Sequence, residues 1–347
     1  MRTFTGFKKG LNLGGWISQC VANTEEHYNN FITEKDIEQI AKWNYDHVRL
    51  PIDYEIIMSE DGFFLPSGFR HIDDCISWCK KHGLNIILDL HKTKGYMFDK
   101  DAVKDPDLFF HDKALQDVFI KIWCFMAERY GKYSDFVALE LLNEIVNPEV
   151  EADWNRIATR AFKEIRQFAP DSWIVVGGVN YNSVSAVPGI DVPYDEKTVF
   201  TFHCYEPLVF THQKAPWVEK MPPDFDVSYP GPSIDYIREK SRLIPQARHG
   251  AIFDKDMDDL QLDENFFEYL FKPALDTAEK KNVPLYCGEY GVLDRAPVED
   301  TLRWLNDIHK ALENHGIGRA LWNYKQKDFG LADSHYDPIR EAVVSKN

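Results

Sequence analysis

Two apolar runs in the sequence end in carboxyls. Leu139-Glu140-Leu141-Leu142-Asn143-Glu144-Ile145 carries an Asn and a Glu at its carboxyl end, and Pro284-Leu285-Tyr286-Cys287-Gly288-Glu289 closes on a second glutamate. Other apolar runs end in groups of equal chemical interest: Arg49 in His47-Val48-Arg49-Leu50-Pro51-Ile52, His91 after Asn85–Leu90, His203 and Tyr205 in Val199–Tyr205, and Trp322 in Arg319–Tyr324. Polar residues at strand ends can simply meet water. If they share one mouth, two carboxyls, a cation, two imidazoles, a phenol, an amide and an indole form a coherent set. Two glutamates facing each other are the minimum needed to split a glycosidic bond, one donating a proton while the other attacks or activates water. Their environments must then differ, and Arg49 beside one of them would hold that one ionised. Charge counting alone does not say which.

Those strand ends must be brought together, and the intervening pattern shows how. The apolar positions Ile72, Cys75, Ile76 and Cys79 recur at helical spacing, with Gly83 as a stop. Thr33 opens an earlier helix as N-cap, and Pro51 is expected to end ladder pairing of its strand. Helices are also expected over Leu115–Tyr130 (stopped by Gly131), Trp154–Phe168, Phe266–Lys281, Val298–Glu313 and Ile339–Ser345, with the first strand in Leu11–Trp16. Eight strands alternating with helices point to an α/β chain folded as a closed (β/α)8 TIM barrel, whose strand carboxyl ends converge on one mouth. An open doubly wound sheet would compete, but no G-x-G-x-x-G or Walker-type loop follows the early strands.

The chain of 347 residues suits one barrel domain. The segment 208–262, rich in Pro, Tyr and charge, is too long for a βα connection and is expected to be an inserted subdomain. A net charge of -16 argues against nucleic acid as a partner. Aromatics make up 14% of the chain, enough to supply stacking faces; Trp16 and Trp217 are the weaker candidates. Six dispersed cysteines read as reduced core thiols with no zinc spacing, and the acidic run Asp254–Asp259 lacks the Gly and Glu of a calcium loop. No metal and no cofactor are expected. No run approaches the length of a membrane span, so the chain as written reads as soluble, cytoplasmic unless a leader has been removed, and monomeric.

The set resembles family 5 of the glycoside hydrolases. Asn143-Glu144 is similar to that family's Asn-Glu acid/base pair, Glu289 in Gly288-Glu289-Tyr290-Gly291 to its nucleophile, and Arg49 to its arginine. His91, His203-Cys204-Tyr205 and Trp322 fill its remaining positions, and longer phrases such as Asn12–Gln19, Thr211–Ala215 and Trp322–Lys325 resemble the cellulase C type endoglucanases. One departure is Lys92, which stands where many of the family carry a second His. The resemblance implies retaining cleavage of internal β-1,4 bonds in a β-glucan polysaccharide or oligosaccharide, with Glu144 as acid/base and Glu289 as nucleophile. Their carboxyls should then lie roughly 5 Å apart. Tyr205 and Arg49 would donate to the nucleophile, Asn143 to the sugar 2-hydroxyl, and Trp322 would offer a ring face, with His91 and His203 bonding hydroxyls or carboxyls. Mannan, β-1,3-glucan or short oligosaccharides would be cleaved by the same chemistry. A silent carbohydrate-binding barrel would need neither glutamate.

Overall fold

The computed structural model describes residues 1–99, 105–192 and 195–345. Eight parallel strands close a barrel in sequence order: β1 (Lys9–Asn12), β2 (His47–Asp53), β3 (Asn85–Lys92), β4 (Val137–Glu140), β5 (Trp173–Gly177), β6 (Thr198–Cys204), β7 (Leu285–Tyr290) and β8 (Gly318–Leu321). β8 pairs with β1 through Lys9↔Arg319 and Gly10↔Ala320, so no sheet edge is left open. Among the helices around it are α1 (Glu34–Lys42), α2 (Pro66–His82), α3 (Lys113–Tyr130), α4 (Glu151–Phe168), α5 (Ile234–Leu243), α6 (Glu264–Lys281), α7 (Val298–Asn314) and α8 (Arg340–Ser345). Between β5 and β6 the described residues form a 3-10 segment, Val184–Gly189, in place of an α-helix. Among the described residues no helix is long and apolar enough to cross a membrane.

Helix ends follow their local chemistry. Thr33 and Asp36 form a capping box at α1, and Gly83 ends α2 with φ +72, a conformation only glycine adopts freely. Gly131 acts otherwise: its φ of -57 stays right-handed, and α3 tightens into the 3-10 turn Gly131–Tyr133. The expectation for Pro51 is overturned, because β2 pairs with β3 through Pro51↔Asp89 and on to Asp53. The Arg49 carbonyl and the Asp53 amide both bond toward the β1 side, to Leu13 and Ile17. By the two-residue period Pro51 faces the same way, beyond the last residue of β1, so its missing N–H costs the β2–β3 ladder nothing.

That period also decides what fills the barrel. Ile87, Ala138, Val175, Val199, Tyr286 and Ala320 point inward and, with Phe4 and Phe7 beneath them, plug its lower half. Gly10 is needed at this level, since a Cβ there would stand 2.2 Å from the His47 ring. One step higher on the same inward rows are Asn12, Arg49, Asp89, Glu140, Thr201 and Gly288, and above them His91 and His203. The polar site is thus the top layer of a packed column, resting on an apolar floor.

The long connection after β6 contains the helical turn Leu208–Thr211, α5 and three single 3-10 turns. Its Val209, Phe210, Val227, Tyr229, Ile237 and Met257 join the cluster that packs helices on the barrel. Tyr229 ties it to α7, its amide donating to Asp300 at 3.0 Å and its hydroxyl to Asp307 at 2.9 Å.

Candidate active site

Arg49 is fully buried at the centre of the mouth and uses its whole fork. Nε and Nη2 donate to the two oxygens of Glu140 at 2.7 and 2.9 Å, and Nη2 also reaches Asn143 Oδ1 at 3.0 Å and Asp89 Oδ2 at 3.0 Å. Nη1 donates to Glu289 Oε1 at 2.7 Å and to Asn12 Oδ1 at 3.0 Å. A planar five-donor guanidinium satisfies this geometry; an ammonium could not. Burial alone would lower the arginine's pKa, but the charges of Asp89, Glu140 and Glu289 outweigh it and raise it well above the ordinary value. One cation faces three carboxyls, and part of the excess is met by protonation: burial pushes Asp89 up to about 7 against the pull of Arg49.

Glu289 would point out of the barrel if β7 alternated regularly, because Tyr286 and Gly288 occupy the inward rows. The β6–β7 register shifts between Phe202 and His203, so that Cys287 pairs with Phe202 but Glu289 with His203. This irregularity turns the carboxyl into the mouth, a common use of a bulge beside an active site. There Tyr205 Oη donates to Oε2 at 3.0 Å, while Arg49 holds Oε1.

Glu144 lies four residues beyond β4, on a segment held by the Asn143 amide to Leu90 and by Tyr96 Oη donating to the Glu144 carbonyl at 2.7 Å. Its carboxyl meets His203 Nδ1 at 2.8 Å. Burial raises Glu144 to about 7, with only partial relief from the charges of His91 and Arg49. Burial likewise lowers His203 to about 4, so at neutral pH it is an uncharged imidazole and does not draw the proton off Glu144. Oxygens of Glu144 and Glu289 and a nitrogen of His203 all lie within 4.8 Å of one another. Three such donors could also converge on a metal ion, which the strand spacing did not suggest. A cation there would, however, face the Arg49 guanidinium, 2.7 Å from the same Glu289 carboxylate. A proton donor paired with a carboxylate fits this donor set without that repulsion.

A family description, cellulase of glycosyl hydrolase family 5, matches residues 10–328. The chain belongs to this family. It is therefore a glycoside hydrolase. It is 40% identical over 342 residues to endoglucanase C of Acetivibrio thermocellus, covering 98% of this chain and 97% of that protein. It is also 40% identical over 314 residues to cellodextrinase A of Ruminococcus flavefaciens, covering 90% and 84%. A solved endoglucanase superposes with a TM-score of 0.77 at 23% identity over 98% of this chain and 97% of its own, a likeness of fold.

The structure of this family member brings Arg49, His91, Asn143, Glu144, His203, Tyr205, Glu289 and Trp322 to one mouth. His91 Nδ1 stands 2.6 Å from Asp89, its Nε2 faces Gln19 and Asn143, and its ring lies parallel to Trp322 at 5.8 Å. Trp322 rests on Gly14, where a Cβ would come within 2.5 Å of the indole, and Gly15 beside it takes a φ of +89 that favours glycine. Lys92, the departure from His-His, turns to pair with Glu55.

Trp16 is not part of the mouth. It is fully buried, donates Nε1–H to the Tyr28 carbonyl at 2.7 Å and stacks on Trp78, so it has no face for a sugar. Trp217 is half exposed on the long connection, with the Arg295 guanidinium over its ring, outside the network around the two glutamates. Sequence reading missed Asp89, Glu140 and Asn12. A signal existed for two of them: a carboxylate inside Ile-Ile-Leu-Asp-Leu or Leu-Glu-Leu cannot be buried without a cationic partner.

Proposed function

We propose that this chain is a retaining endo-β-1,4-glucanase in which Glu144 is the acid/base and Glu289 the nucleophile. The observation that carries this is the approach of the two carboxyls to within 4.8 Å, matching the separation of about 5 Å that retention requires. Their surroundings differ as the two roles demand. Glu144, pushed up to about 7 and facing a neutral imidazole, retains a proton; Glu289 receives donors from Arg49 and Tyr205 on separate oxygens. In the first step Glu144 gives its proton to the glycosidic oxygen while Glu289 attacks the anomeric carbon. The bond to the departing sugar breaks and a glycosyl ester forms. Glu144, now a carboxylate, then takes a proton from water as the water oxygen displaces Glu289. Asn143, oriented by Arg49, is placed to bond the sugar 2-hydroxyl.

The test is hydrolysis of carboxymethyl cellulose, lichenan, laminarin and glucomannan by the wild type beside Glu289→Gln. Falling viscosity with the first two, abolished in the variant, is the expected result. Four untouched polymers would refute the endoglucanase reading, and an equally active variant would remove Glu289 as nucleophile. The similarity to a cellodextrinase supports a second reading, attack on short β-1,4 oligosaccharides. Release of sugars from cellohexaose without loss of polymer viscosity would favour it.

A further inference from the structure

Arg49 has enough negative charge around it without Asp89. Glu140 takes Nε and Nη2 on its two oxygens and Glu289 takes Nη1, so two carboxyls surround one guanidinium before a third is counted. The third is costly: Asp89 is fully buried, and burial pushes its pKa up to about 7 against the pull of Arg49. A buried carboxyl that its cation does not require has to be explained by another partner. That partner is His91, two residues along the same inward row of β3, whose Nδ1 stands 2.6 Å from Asp89 Oδ2.

The direction of each bond around this pair follows from Arg49, which can only donate. Its Nη2 lies 3.0 Å from Asn143 Oδ1, so that end of the amide is the oxygen and the other end is the NH2. The NH2 faces His91 Nε2 at 3.3 Å and can only donate to it; Gln19 Nε2 approaches the same nitrogen at 2.9 Å. His91 Nε2 therefore accepts. The ring is uncharged, burial lowering its pKa, so its single proton sits on Nδ1 and is given to Asp89. Asp89 Oδ2 in turn lies 3.0 Å from Arg49 Nη2, which closes a circuit of four side chains. The imidazole is held against turning over, parallel to Trp322 at 5.8 Å and with Phe98 edge-on at 5.4 Å. The Asn143 backbone amide is tied to the Leu90 carbonyl, between Asp89 and His91. One hydrogen of the Asn143 NH2 is thus taken by His91, and the other is left for the sugar 2-hydroxyl.

We propose that Asp89 is a positioning residue for the cleavage step: by accepting the His91 Nδ1 proton it keeps Nε2 an acceptor, and this seats the Asn143 NH2 as a donor to the 2-hydroxyl of the sugar whose bond is broken. The inference rests on the placement of Asn143 at that hydroxyl. Without the carboxylate, as in Asp89→Leu, the Nδ1 proton has no acceptor and the imidazole takes the Nε2–H form. The partly exposed Gln19 can turn its oxygen to meet that proton; Asn143 cannot, because Arg49 holds its Oδ1, and it is pushed from its seat. Two measurements test this. Nitrogen NMR of isotopically labelled histidine should show His91 protonated on Nδ1 in the wild type and on Nε2 in Asp89→Leu. Values of kcat/KM are compared on dinitrophenyl β-cellobioside and on its analogue lacking the 2-hydroxyl of the reacting ring. Asp89→Leu should lower kcat/KM about tenfold more on the first than on the second, where no hydroxyl is present to receive the bond. Asp89→Asn, whose side-chain oxygen can take the place of Oδ2, should restore the Nδ1–H form and the wild-type ratio between the two substrates. Equal losses on both substrates would mean that Asp89 only supports the fold, and no loss on either would remove it from the reaction. His91 protonated on Nε2 in the wild type would break the circuit, even if Asp89→Leu fails to fold. Each of these overturns the inference and leaves the glucanase reading intact. A wild type inert toward both substrates would instead overturn that reading and this inference with it.

Discussion

Replacing Glu144 by Gln tests the electrostatics of the proton donor independently of catalysis. The carboxyl is raised from 4.5 to about 7 in the folded protein, chiefly by burial. A raised carboxyl pKa means that the folded state holds the proton more tightly than the unfolded chain. Its contribution is favourable below about pH 4.5 and is lost as pH rises through about 7. At 1.36 kcal/mol per pH unit, the rise from 4.5 to about 7 makes the ionised carboxyl a liability on the order of 3 kcal/mol at pH 8 and well under 1 kcal/mol at pH 4. Glutamine has the same shape, carries no charge, and can donate to His203 Nδ1 as the protonated acid does. Urea unfolding of wild type and Glu144→Gln should therefore show the variant more stable by about 3 kcal/mol at pH 8, the difference closing toward pH 4. Titrating groups remote from Glu144 are common to both proteins and cancel, while Asp89, whose pKa the charge of Glu144 helps to raise, loses that repulsion in the variant and shifts the difference at pH 8 in the same direction. A stability difference that does not change with pH would refute the raised pKa and with it the physical basis for Glu144 as the acid.

The remaining predictions concern the residues around it. Wild-type kcat/KM on cellotetraose should fall as pH rises through about 7, where Glu144 loses its proton; a plateau extending to pH 9 would contradict the role. Arg49→Lys cannot reproduce the paired bonds to Glu140 while still reaching Glu289, so unfolding free energy should drop by about 3–5 kcal/mol and kcat/KM by about a thousandfold. Activity within tenfold of wild type would remove that network from the mechanism. Gly288→Ala would bring a Cβ to 2.9 Å from Thr201 Oγ1 and 3.1 Å from His203 Nε2, displacing the imidazole that faces Glu144. A loss in kcat of about tenfold or more should follow, and unchanged kinetics would show that the ring has room to move. Trp16→Phe should cost on the order of 1–3 kcal/mol of stability through lost packing and the unpaired Tyr28 carbonyl. Its KM for cellotetraose should stay at the wild-type value, whereas a rise would return Trp16 to the sugar cleft.

Much of this protein is written along the chain. Alternating apolar strands and amphipathic helices specify a βα repeat because burial on both faces of a parallel sheet demands it, and eight repeats close without an edge. The residues that end those strands could be named in advance, since polar groups after apolar runs have only the mouth to occupy. Gly83 and Thr33 likewise declare themselves through local stereochemistry. What lies across the barrel does not. Arg49 meets Glu140, Asp89 and Glu289 over separations of 91, 40 and 240 residues, and no local pattern says which carboxyl a guanidinium will reach. The inward turn of Glu289 depends on a register shift against β6, and strict alternation along β7 would have pointed it outward. Trp16 and Trp322 look alike as candidates in the sequence, yet one is locked beneath Trp78 and the other lines the mouth. The sequence determined the barrel and the inventory of its rim through short-range periodicity. Only tertiary structure decided the pairing of charges, and with it which glutamate keeps its proton, because burial and long-range proximity are properties of the closed barrel.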